Sequence, residues 1–139
     1  MERDQLQAQK YALSLGKTIQ SHHHYLQTAV KDFQEKCLRV APGRSVPPDI
    51  INQIREAYKA IRDRLTEIKS IQQLLQTKYR QFYRRDPLLD KEIVEFQFLS
   101  KNSYSKFEFT LKEIEAKKKM ERERVAQMSH KNEPSRGSF

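Results

Sequence analysis

From about Arg3 to Val40 the apolar positions fall on one helical stripe. Ala12, Leu15, Ile19, Leu26, Val30, Phe33, Cys37 and Val40 follow one another at alternating gaps of about three and four residues, the spacing of an amphipathic helix. One longer gap lies between Ile19 and Leu26, and His22 or His23 fills it. No proline interrupts the segment and its only glycine is Gly16. Ala41-Pro42-Gly43-Arg44-Ser45-Val46-Pro47-Pro48 is then the clearest break in the chain.

Pro48-Asp49 suits the start of a second helix. Its stripe reads Ile51, Ile54, Tyr58, Ile61, Leu65, Ile68, Gln72, Leu75, Tyr79 and Phe82, and nine of these ten positions are apolar or aromatic. A period near 3.5 residues keeps such a stripe against a partner helix, as in coiled coils and bundles. Gln72 is its single polar member: either Ile71 covers the core there and Gln72 faces solvent, or Gln72 marks a register-setting layer. Arg84-Arg85-Asp86-Pro87 is expected to end the helix, because Pro87 disfavours the α conformation at Asp86.

The third segment is less regular. Ile93 and Phe96 begin a stripe that Tyr104, Phe107, Leu111 and Ile114 continue, with a slip in register between Leu99 and Ser105. A strand reading competes, since Glu95-Phe96-Gln97-Phe98 and Lys106-Phe107-Glu108-Phe109-Thr110-Leu111 both alternate around a turn-like Lys101-Asn102-Ser103. A lone hairpin is marginal in water, so a helix bent near Asn102 is preferred. Glu113 with Lys117 and Glu115 with Lys119 carry the helix onward. From Ser129 to Phe139 almost nothing is apolar, and a disordered tail is expected.

The fold class is therefore all-α. Helices at about 3–40, 48–85 and 88–127 form a single elongated unit over 1–128, an antiparallel up-down-up bundle with coiled-coil-like seams. The outline resembles a spectrin-type three-helix bundle. The structural alternative is a helical hairpin that completes its core with partner helices.

Composition narrows the chemistry more than it names it. Of 139 residues, 37% are hydrophobic and 32% charged, with three Gly and five Pro, too few for a β-sandwich or a low-complexity linker. A single cysteine excludes an internal disulfide or a cysteine-based zinc site and points to a reducing, cytoplasmic setting, with the nucleus as the alternative. Three glycines build no phosphate-cradling loop, and no nucleophile motif is present, so no catalytic residue, cofactor or metal ligand is assigned. His22, His23 and His24 point about 100° apart on a helix and share no face for a metal. Cys37 reads as a small buried hydrophobe.

The charge is more informative. The net charge of +9 is concentrated between Pro42 and Asp86, where ten basic residues face five acidic ones. Lys78, Arg80, Tyr83, Arg84 and Arg85 are the candidate partner-binding residues, beside Tyr79 and Phe82, which are expected in the core. A second basic group, Lys117, Lys118, Lys119, Arg122 and Arg124, is interleaved with Glu121 and Glu123. The expected function is a non-enzymatic adaptor subunit that docks an acidic or helical protein. The alternative is a basic module for nucleic acid, an anionic membrane surface or a cytoskeletal polymer.

Overall fold

The computed structural model describes the backbone of residues 2–137 and the side chains of residues 2–128. Three helices follow one another, α1 (Glu2–Leu38), α2 (Pro48–Lys78) and α3 (Pro87–Gly137), with a single 3-10 turn at Arg80–Phe82 between the last two. They pack as an up-down-up bundle in which α1 lies against both neighbours and the α2–α3 contact is the slightest. There is no strand among the described residues, so the hairpin alternative near 96–111 gives way to uninterrupted helix.

The expected stripes form the core. Ile19, Leu26, Val30 and Phe33 of α1 meet Ile54, Ile61, Leu65, Ile68 and Leu75 of α2, and Ile93, Phe107 and Leu111 close the third side. Toward the α1–α2 loop an aromatic layer ties all three helices together. Tyr58 of α2 stacks on Tyr104 of α3 with ring centres 4.0 Å apart, and on Phe33 of α1 at 5.8 Å. Such pairs add attraction beyond the area they bury. Ser100 fills the slipped position in the α3 stripe; it is buried, and its hydroxyl donates to the Gln97 carbonyl.

His22 fills the gap in the α1 stripe and is buried. Arg64 donates to its Nδ1 at 3.0 Å, which leaves the ring proton on Nε2, and Nε2 lies 3.3 Å from Glu67 Oε2 without the alignment of a hydrogen bond. Ile71 covers the core beside Gln72 as expected, yet Gln72 is half-buried and donates to Asp90 Oδ1 of α3 at 3.0 Å, a polar tie between helices.

The helix ends depart from the expected 3–40, 48–85 and 88–127. α1 stops at Leu38 because its last carbonyls are taken by i+3 contacts from Arg39 and Val40, and Val40 folds back into the core. Gly43 then turns the loop with a φ of +82°, a conformation that favours glycine. α2 stops at Lys78, not Arg85: Tyr79 leaves the helix with φ −123° and ψ 33°. The reason is tertiary. Breaking there turns Tyr79, Phe82 and Tyr83 onto the core, and Tyr79 meets Tyr11 of α1 edge-on at 5.4 Å. α3 continues past 127 to Gly137, so the three helices differ in length at 37, 31 and 51 residues. The side chains of the expected tail, 129–139, and all of Ser138 and Phe139 lie outside the described residues.

Candidate functional site

The corner between α2 and α3 holds the expected contact residues, and its geometry divides them. Lys78 is the last residue of α2 and Arg80 opens the 3-10 turn; both are exposed. Tyr83 is extended and half-buried against the core. Arg84 and Arg85 are exposed and lie beyond the end of α2. Arg85 turns instead to α3, where its Nε donates to Asp90 Oδ2 at 2.8 Å. That bond and the Asp90 charge raise the Arg85 guanidinium above its usual range.

The carboxylates of this corner are all engaged within the chain. Asp86 caps α3: its Oδ1 accepts the backbone N–H groups of Leu88 at 3.1 Å and Leu89 at 3.3 Å, ahead of Pro87 in the first helical position. Asp90 holds Arg85 and Gln72. Glu92 pairs with His23 across to α1. Among the described residues, by contrast, Lys78, Arg80 and Arg84 make no ion pair.

A cleft of about 620 Å³ opens beside these cations. Ala12, Gly16 and Ile19 of α1 and Leu75 of α2 line it, and Phe82, Tyr83 and Leu89 close the far side. Lys17 stands on its α1 side and Arg84 on the opposite one, with the His23–Glu92 pair between α1 and α3. The α1 contribution was not read as part of a site from sequence, because residues 12–20 meet 82–92 only once the bundle forms. Gly16, the lone glycine of that helix, was the one local signal.

The second basic group is placed elsewhere. Lys117, Lys118, Lys119, Arg122 and Arg124 lie on the exposed part of α3, about 45 Å along the helix from Pro87. Cys37 is buried, and desolvation pushes its thiol from 9.0 to about 11, away from nucleophilic reactivity. No group of three or more His, Cys, Asp or Glu converges on a metal position among the described residues, and no described helix is long and apolar enough to cross a membrane. No known protein family, curated protein or solved structure matches this chain.

Proposed function

We propose that this protein is a non-enzymatic helical adaptor that docks an acidic protein partner on the corner formed by Lys78, Arg80, Tyr83 and Arg84. One observation carries the reading: the corner's acidic side chains are spent inside the fold while its cations are not. Positive charge without internal compensation, set beside half-buried aromatics, attracts carboxylates and supplies apolar contact area where they bind. Arg85 belongs to the fold in this reading, through Asp90. Nucleic acid is the lesser reading, because Glu121 and Glu123 interrupt the other basic group.

The test compares Lys78→Glu, Arg80→Glu and Arg84→Glu combined with the same reversal at Lys117, Lys118 and Lys119. The first variant is expected to melt with the parent and to lose co-purifying proteins, while the second keeps them. Equal recovery from both variants rejects the corner. Recovery that disappears only after nuclease treatment moves the reading to nucleic acid.

A further inference from the structure

The cleft beside the corner carries a more specific statement, which rests on the docking reading above. Gly16 is the starting point. Glycine within a helix is destabilising relative to alanine because it loses more backbone freedom on folding. Nothing inside this chain requires it: its φ is not positive, and a Cβ added there meets no atom within 4 Å. With Ala12 one turn earlier, it leaves the α1 wall of the cleft low enough for another backbone to approach closely.

The surroundings state what that backbone must carry. Leu13 and Leu88 stand on the two sides of the cleft at 63% and 66% exposure, large apolar side chains without cover. Lys17 and Arg84 flank the opening, and the carboxylates within it, Asp86 and Glu92, are already held by backbone N–H groups and by His23. An occupant therefore gains by burying apolar side chains along the middle and placing carboxylates outside them. A second copy of this chain, at net charge +9, adds cations to a cationic rim and does not meet that demand.

We infer that the cleft receives one face of an acidic amphipathic helix from a partner protein, with apolar anchors against Ala12, Gly16 and Phe82 and flanking carboxylates at Lys17 and Arg84. This is the helix-in-groove mode, in which residues at i, i+3 or i+4, and i+7 enter the groove together.

Gly16→Leu tests it without touching the corner's charge. The new side chain projects into open space and improves helix propensity, so the variant is expected to melt about 3 °C higher while blocking the cleft. The probe is a phage-displayed library of randomised helical peptides selected on the full chain. Selected peptides are expected to combine Leu, Ile or Phe at helical spacing with Asp or Glu beside them, and to bind Gly16→Leu at least about tenfold more weakly. No enrichment, enrichment without acidic flanks, or equal binding to Gly16→Leu overturns the inference. Co-purification separates it from the broader reading. Cellular partners kept by Gly16→Leu but lost on charge reversal at Lys78, Arg80 and Arg84 reject the cleft and leave the corner standing. Loss by both sustains both, and loss by neither removes both.

Discussion

A single side chain in this bundle has to satisfy its neighbours on more than one helix, and the polar ones show it most clearly. His22 occupies a position that spacing alone assigns to a hydrophobe. Arg64 supplies the hydrogen bond that burial would otherwise remove from Nδ1, while Nε2 is buried without one, 3.3 Å from Glu67 Oε2. Asp90 bonds Gln72 of α2 and Arg85 of the connecting loop at once, so one carboxylate fixes both to the first turn of α3. Cys37 satisfies its site by staying neutral. Its folded thiol titrates at about 11 and its ordinary value is 9.0, so the unfolded chain releases the proton first as pH rises. The neutral thiol's contribution is fully present below pH 9 and is lost as pH climbs toward 11. Thermal melts of the parent and of Cys37→Ala are expected to respond to pH in parallel up to 9. Above that the parent is expected to lose more stability than the variant. Parallel curves throughout would place the thiol in water.

At the scale of the helix, α1 and α2 were legible because each has one apolar face. α3 was legible as a helix but left a hairpin reading in competition, because it has two. Residues two apart lie about 200° apart around a helix, so Phe96 and Phe107 pack inward while Phe98 and Phe109 are left exposed on the opposite side. The same alternation, read along the chain, imitates a strand. Substitution separates the two faces. Phe107 is 1% exposed, and Phe107→Ala is expected to cost about 3–5 kcal/mol. Phe109→Ala is expected to change stability by less than about 0.5 kcal/mol, since its side chain is 66% exposed. Denaturant midpoints check both, and a comparable loss from the two variants would restore the strand-like reading. The early end of α2 was hidden for a different reason. Propensity favours helix through Arg80 and Gln81, and only the gain from packing Tyr79, Phe82 and Tyr83 on the core outweighs it. The cleft depends on that same break, so it was no more visible than the break itself.

At the scale of the whole molecule, the bundle ends before α3 does. The inner face of α3 repeats about every eleven residues, close to three full turns, so its columns run straight along the helix. Each column turns charged on its third member: Ile93 and Tyr104 lead to Glu115, Phe96 and Phe107 to Lys118, Ser100 and Leu111 to Arg122. Burial stops at the same level. Among the described residues Leu111 is the last that is buried and Ile114 the last that is packed on the core, while residues 115–128 are exposed throughout. Over the described residues 115–128 the overhanging helix thus rests on side-chain pairs such as Glu113 with Lys117, each worth only about 0.2–0.5 kcal/mol, with no side chain buried against the bundle. Removing the chain from Ala116 onward deletes seven basic and three acidic residues and lowers the net charge from +9 to +5. Among the described residues it deletes none of the core. The truncated protein is expected to melt within about 2 °C of the full chain, to lose circular-dichroism intensity in proportion to the helix removed, and to keep whatever binds at the Arg80–Arg84 corner. A fall of more than about 5 °C would show that α3 beyond Ile114 supports the bundle, and loss of corner binding would join the two basic groups into one surface.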